Sequence, residues 1–505
     1  MRKLFFTVMI FVSYAFTNAS FPSLYIYADD IVKNEFHEVT FKFENFDGFN
    51  YYGGDSIRIR GNSTALADKK SYNIKLDNKY NIFGFGKSKK WTLLANHYDP
   101  TLIRNKLIFD LAYKLNFEYS PRSTFVDVWL NDTFVGNYQF TSKVEFAKTR
   151  LNYDTENGDF LFERDEIRNK NDVTYFLSPV DSFRFALEEP EAFEEGQKDL
   201  LMQKLTTIEN AINTLDIYKY APYVDLRSII DQYWIEEFVA QPDLHTGSRY
   251  FFIHDNTLHG GPVWDYDLAL GNTKSSAKAK GNSIFARQIW LKTLFKDPRF
   301  KKLADERFLE LVPYFENLAQ DNELGKNQID SLFEIFGDSF LRNFSDSGWT
   351  FKSTIGNYNS QAFTTYEKNV DTLRSWILNR LDYLNTYIKK ELEPLDSIDI
   401  TWEKVDARVK FFKDSLTTAL PPNHQDNNSL KANPLYLWQQ GSRLLSKNRS
   451  ITLNVPEGEK YTVIDHLGRK LQQGQTTSNT LSLSFKRSGL YIVKINKYYF
   501  SVIVR

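Results

Sequence analysis

Asp243, Ser248, Asp265 and Asp267 are the residues whose types and spacing point to chemistry. Asp243 follows Gln241-Pro242, and the proline should end the preceding helix and expose the carboxylate in a loop. Ser248 adds a hydroxyl oxygen in the same stretch. A short apolar run, Tyr250 to Ile253, and a turn then lead to Val263-Trp264-Asp265-Tyr266-Asp267-Leu268. Oxygen ligands suit a hard cation such as magnesium. A loop carboxylate can take a proton from an attacking hydroxyl. If residues 263–267 are extended, Asp265 and Asp267 point to the same side. Two like charges there repel unless a cation or a hydrogen-bond network holds them, and a cation site is the better reading. The alternative is that these acids are solvated or cap neighbouring backbone.

The elements that must position these residues differ along the chain. Residues 20–80 alternate like strands, with candidates at Leu24 to Tyr27, Val39 to Phe43, Ile57 to Arg60 and Ser71 to Leu76. In the last of these, Tyr72, Ile74 and Leu76 face one side and Asn73 and Lys75 the other. Thr101 to Leu115 has helical spacing. Thr124 to Leu130 and Phe134 to Thr141 form a hairpin around Asn131-Asp132, and Phe160 to Glu163 is a further strand. After about residue 195 the pattern turns helical: Lys198 to Leu215, a helix capped by Asp225, then 286–320, 325–342 and 362–392. A strand-rich lobe followed by a helix-rich lobe predicts an α+β protein with a cleft. Residues 396–449 are less regular, and the polar stretch from Pro421 to Asn428 has the composition of a linker. From Ser450 to Arg505 short strands return, which predicts a small β-sandwich.

Composition bounds the function. The chain has 505 residues, 42% of them apolar and 25% charged, so a large globular core is expected. Most of the 42 Phe and 29 Tyr should be core. Cysteine is absent, which excludes a disulfide framework, a zinc–cysteine site and a thiol nucleophile. With 63 basic and 64 acidic residues and no basic tract, nucleic acid is not an expected partner. Residues 1–19 read as a secretory signal peptide: Arg2 and Lys3, an apolar run from Leu4 to Phe16, and Thr17-Asn18-Ala19. No later run is long and apolar enough to suggest a membrane helix.

Other segments carry weaker signals. Arg58 and Arg60 share one strand face, and Gly61-Asn62-Ser63-Thr64 is a turn whose N–H groups suit phosphate oxygens. Lys75, on a strand beside apolar residues, can reach a phosphate as a point charge, or is a surface lysine. Gly84 to Ser88 lacks the spacing and context of a phosphate loop and reads as a plain turn. His245 and His254 fit no zinc spacing and read as structural.

Together these segments resemble the spore-coat protein H (CotH) kinase family, an atypical protein-kinase-like group. The resemblance rests on Ile57-Arg58-Ile59-Arg60-Gly61-Asn62-Ser63-Thr64, Lys69 to Leu76, Trp91 to Asn96, Leu102-Ile103-Arg104-Asn105-Lys106-Leu107, the hairpin Leu130 to Tyr138, and Gly261 to Asn272. It spans roughly residues 22–390. It implies an atypical kinase-like two-lobed domain over 20–395 that binds ATP with Mg²⁺ and transfers phosphate to protein side chains. It also implies that Arg58, Arg60, Asn62, Ser63, Lys75 and Arg104 contact the nucleotide, that Asp243 is catalytic, and that Asp265, Asp267 and Ser248 hold the metal. The chain departs from the pattern at Ser142, where the family carries a glutamate, and at Ser248, where ordinary kinases carry asparagine. Residues 461–470 and 488–494 resemble the C-terminal sorting domain of type IX secretion. That resemblance implies recognition by secretion machinery and passage through the periplasm to the cell surface or medium. The competing readings are a non-catalytic surface adhesin or scaffold on the same fold, and, less well matched, a carbohydrate-active enzyme.

Overall fold

The computed structural model describes residues 21–418, apart from 34, 62–63, 167–172, 245–246, 275, 277, 282–285, 352–353, 356–357 and 360–361, together with most of 443–504. The signal-peptide reading, the stretch from Pro421 to Asn428, Asn62, Ser63 and His245 therefore lie outside the described residues. The chain forms two compact units. One comprises Met1–His97, Ser123–Ser142 and Phe333–Thr350; the other comprises Tyr98–Arg122, Lys143–Leu332 and Phe351–Arg505. The division does not follow chain order, as a simple strand-lobe-then-helix-lobe reading expects.

The first unit is a closed barrel. Its strands are β1 (Ser23–Tyr27), β2 (His37–Phe46), β3 (Phe49–Arg60), β4 (Ser71–Asn81), β5 (Lys87–Leu94), β6 (Ser123–Leu130) and β7 (Thr133–Ser142). They run in the order β1-β2-β3-β4-β5-β7-β6, and a parallel pairing of β1 with β6 completes the ring. Alternating apolar residues on each strand face inward. Leu24, Ile26, Phe41, Phe43, Ile57, Ile74, Trp91, Val126 and Phe140 make a core rich in aromatic rings. Phe43 meets Phe46 edge-on at 4.9 Å, and Trp91 stacks on Phe140 at 5.1 Å. Of the stretch Gly84 to Ser88, read as a plain turn, Gly84 to Gly86 lie between β4 and β5, with Gly86 N donating to Asn81 Oδ1 at 2.8 Å, while Lys87 and Ser88 begin β5.

Lys69 sits buried at one barrel wall. Its ammonium donates to Ala95 O at 2.9 Å, to Asn343 Oδ1 at 2.8 Å and to Asn137 O. Burial holds this lysine well below its usual pKa, and Asp127 acts in the opposite direction. Asp127 in turn accepts from Ser339 and Arg342, so one polar cluster ties Phe333–Thr350 to the barrel.

The second unit is helical around a sheet. Its helices are α1 (Arg104–Lys114), α2 (Gln197–Asn213), α3 (Ile217–Tyr220), α4 (Leu226–Val239), α5 (Trp290–Leu294), α6 (Pro298–Glu316), the first residues of α7 (Gln328–Ser345), α8 (Tyr366–Leu392) and α9 (Trp402–Thr418). The strands β8 (Phe160–Arg164), β9 (Tyr175–Leu177), β10 (Arg184–Glu189), β11 (Tyr250–His254) and β12 (Thr257–Gly260) form an antiparallel sheet in the order β12-β11-β8-β10-β9. The central strand β8 is buried along its whole length. Asp225 caps α4 as expected, accepting from the N–H groups of Arg227 at 3.2 Å and Ser228 at 3.4 Å. Nearly every residue of α4 is buried, as a helix enclosed on all sides must be. Among the described residues no helix is long and apolar enough to cross a membrane.

Two short strands, β13 (Thr354–Ile355) and β14 (Tyr358–Asn359), pair with each other. Helix α9 lies inside 396–449, the stretch expected to be irregular. The C-terminal strands are β15 (Arg443–Leu445), β16 (Ser450–Asn454), β17 (Lys460–Asp465), β18 (Lys470–Gln475), β19 (Thr480–Ser484), β20 (Gly489–Ile495) and β21 (Tyr498–Val504). They form a five-stranded sheet, β15-β21-β20-β17-β18, and a separate pair, β16-β19.

Candidate functional site

The end of α4 organises the acidic loops of the second unit. The helix stops at Ala240, whose φ of 50° is left-handed. Its last carbonyls need donors. Arg380 of α8, fully buried, donates Nε to Phe238 O at 3.1 Å and Nη2 to Glu237 O at 2.6 Å. Leu270 N donates to Val239 O at 2.8 Å, which ties the Asp265–Asn272 loop to the same helix end. Asp243 therefore follows a rigid terminus. It is half-buried, and its carbonyl accepts from Gly247 N at 3.1 Å.

The second loop is held at several points. Gln241 Nε2 donates to Asp265 O, and Asn105 Oδ1 accepts from Tyr266 N at 2.6 Å. Asn272 Nδ2 donates to Asp267 O at 2.6 Å and to Tyr98 O at 2.7 Å. Trp264 stacks on Phe109 of α1 at 5.5 Å. Arg104, expected at the nucleotide phosphates, is buried here instead. Its Nε donates to Ala269 O at 3.0 Å, its Nη2 to Leu270 O at 3.3 Å, and its Nη1 to Asp99 and Thr101. A guanidinium with its donors directed into the protein is a clamp on the loop, which corrects the expectation of a phosphate contact.

Asp265 and Asp267 do not lie on a strand. Asp265 has φ 66°, so pleated alternation does not bring the two acids together. The loop does so by another route. Asp267 is buried, and burial followed by the charges of Asp265, Asp243 and Asp99 pushes its carboxyl well above the usual carboxylate range; Arg104 pulls the other way. Ser248, also left-handed at φ 65°, donates Oγ to Asp265 Oδ2 at 3.2 Å. The Ser248–Asp265 hydrogen bond and the charges that act on Asp267 relate Asp243, Ser248, Asp265 and Asp267 as an acidic, oxygen-rich constellation. Left-handed non-glycine residues cluster at functional sites because the surrounding structure must hold them there.

Oxygen donors are the kind that a hard divalent cation takes. All four side chains offer oxygen, and the buried Oε1 of Gln241 has no hydrogen-bond partner among the described residues. Among those residues no group of three or more acids or histidines forms a ready metal cage. Magnesium commonly takes one or two carboxylates and completes its shell with phosphate oxygens and water.

Sequence reasoning missed Glu163, Gln241, Asn105 and the Arg249–Glu236 pair. Glu163 follows the apolar run Phe160-Leu161-Phe162 in β8 and precedes Arg164, and a charge directly after that run was the available signal. Arg249 is fully buried and donates to Glu236 and, at 2.9 Å, to Ala286 O. Burial pushes the Glu236 carboxyl up to about 7, although Arg249 and Arg164 pull it down. Because its folded pKa is raised, the stability linked to Glu236 is present at low pH and lost as pH rises towards 7. Arg249→Met removes its partner charge, and losing one partner of a buried pair costs roughly 3–5 kcal/mol. Chemical denaturation should show a larger loss at pH 8, where Glu236 must ionise or bind a proton at a cost, than at pH 5.

The first unit places its candidates on one outer face. Arg58 lies opposite Asn73, and Ser56 lies opposite Lys75, on the side away from Ile57, Tyr72 and Ile74. Lys75 is exposed, Arg58 lies over the Phe36 ring at 4.7 Å, and Arg60 is partly buried. His254 stacks on Tyr153 at 4.1 Å and pairs with Asp159 at 3.0 Å.

No curated protein matches this chain. A family model described as CotH kinase protein matches residues 57–384, which include the barrel strands from Ile57 onward, the whole acidic constellation and most of α8. The chain belongs to the CotH kinase protein family.

Proposed function

We propose that this protein is an exported atypical protein kinase that transfers phosphate from Mg·ATP to protein side chains. One observation carries the reading: in a chain of the CotH kinase family, a buried Asp267 sits among the like charges of Asp265 and Asp243 and is held uncharged more readily than a carboxylate in water. A site of that kind is relieved by a divalent cation.

In this reading Asp265, Asp267 and Ser248 hold magnesium. When bound, the metal neutralises charge on the transferring phosphate. Asp243 accepts the proton of the acceptor hydroxyl as its oxygen bonds to the γ-phosphorus; the bond to the β-phosphate oxygen breaks and ADP leaves. Arg58, Arg60 and Lys75 of the first unit are the candidate phosphate contacts, together with Asn62 and Ser63 as the family resemblance implies. Export rests on the N-terminal pattern of residues 1–19, and recognition by secretion machinery on the short strands after Ser450.

A second reading, a non-catalytic surface adhesin or scaffold, is favoured by Ser142. This residue is fully buried opposite Trp91, and it stands where the family carries a glutamate. Thermal stabilisation separates the two. ATP should raise the melting temperature of the wild type only when Mg²⁺ is present, and Asp265→Ala should lose that response while the ligand-free protein stays folded. An equal ATP response in Asp265→Ala would remove this residue from the metal site.

A further inference from the structure

We infer that Glu163 is a positioning residue, whose carboxylate fixes Ser248 and through it sets the Asp265 carboxylate for a divalent cation. The inference rests on the cation role proposed for Asp265. Glu163 lies near the end of β8, the central strand of its sheet, opposite Tyr250 on one side and Ala186 on the other. Its side chain is buried, and Oε1 accepts the backbone N–H of Ser248. The sheet thus presents a charged acceptor from a place that cannot easily move.

Ser248 needs such a partner. Its φ of 65° is a conformation that residues with a Cβ seldom adopt, and it directs Oγ to Asp265 Oδ2 at 3.2 Å. Asp265 has φ 66° as well. Its carbonyl is held by Gln241 and its carboxylate by Ser248, so the main chain and the side chain are fixed separately. Glu163 is the far end of the second restraint. Partners that orient a ligand without touching the metal commonly change metal affinity.

The test uses Mn²⁺ as the probe on the full chain, with binding read by electron paramagnetic resonance. Hydrogen exchange at the Ser248 amide is measured without any ligand. Glu163→Ala should weaken Mn²⁺ binding about tenfold or more, the scale seen for outer partners of metal ligands. Glu163→Gln, which keeps an acceptor oxygen, should stay near the wild type. The Ser248 amide should exchange faster in Glu163→Ala and remain protected in Glu163→Gln. Glu163→Ala added to Ser248→Ala should cost no more than Ser248→Ala alone, because one acts through the other. If Glu163→Ala does not fold, Glu163→Met carries the same comparison.

Unchanged Ser248 exchange or unchanged Mn²⁺ affinity in the variant lacking the acceptor would overturn the inference alone. Glu163→Gln weakening Mn²⁺ as much as Glu163→Ala, with Ser248 still protected, would make Glu163 a ligand and overturn positioning. Absence of Mn²⁺ binding by the wild type would overturn the cation role of Asp265 and the inference with it.

Discussion

Asp267→Asn should stabilise the cation-free protein and abolish its Mg²⁺-dependent response to ATP. Burial, then Asp265, Asp243 and Asp99, raise the Asp267 pKa above its unfolded value. A raised carboxyl pKa means that the folded state keeps the proton longer than the unfolded chain. Stability linked to Asp267 is therefore full below the unfolded pKa, falls as pH rises through the folded pKa, and stays lost above it. Asparagine carries no charge to bury, so the advantage of the variant should grow with pH. The same substitution removes a carboxylate that the cation needs. Melting curves from pH 4 to pH 8, with and without Mg·ATP, check both halves. A variant less stable than the wild type at pH 8 would show that Asp267 is an internal structural acceptor instead.

Asp243→Asn should cut phosphate transfer by roughly 10²–10⁴-fold, the contribution of a positioned general base. Nucleotide affinity should change little, since Asp265, Asp267 and Ser248 keep their oxygens. The expected separation follows from placement. Asp243 lies just beyond a helix end whose last carbonyls accept from Arg380 and Leu270. Transfer rate, ATP affinity and melting temperature measured on one preparation distinguish the roles. Full transfer activity would take Asp243 out of the mechanism. A fall in melting temperature matching the loss of activity would make it structural.

Local signals were legible in the sequence, and long-range ones were not. The Asp225 cap, α2 and the Thr133–Ser142 hairpin strand follow from residues close together, where periodicity and capping act directly. Barrel closure depends on β1 pairing in parallel with β6, about a hundred residues away, and no alternation pattern encodes that partner. Strand β18 reads Lys-Leu-Gln-Gln-Gly-Gln and is exposed throughout, so it lacks the apolar period that marks a strand. Helix α9 buries Val405 but leaves most of its residues accessible, a weak stripe that reads as irregular chain. At the site, residue types announced the acids. Their company did not show, because Ser248 depends on Glu163 from β8 and the Asp265 loop on Arg104 and Asn105 from α1. Arg104 looked like a phosphate contact because a cation near a family motif carries no mark of burial.

Phosphate transfer is read directly by intact-mass spectrometry. Wild type and Asp243→Asn are incubated with ATP and Mg²⁺, with an acceptor protein bearing hydroxyl side chains added. Wild type, but not Asp243→Asn, should add the mass of phosphate to itself or to the acceptor, and only with the cation present. Addition of AMP, or no modification by a wild-type chain that is folded and binds Mg·ATP, would contradict the proposed phosphate transfer.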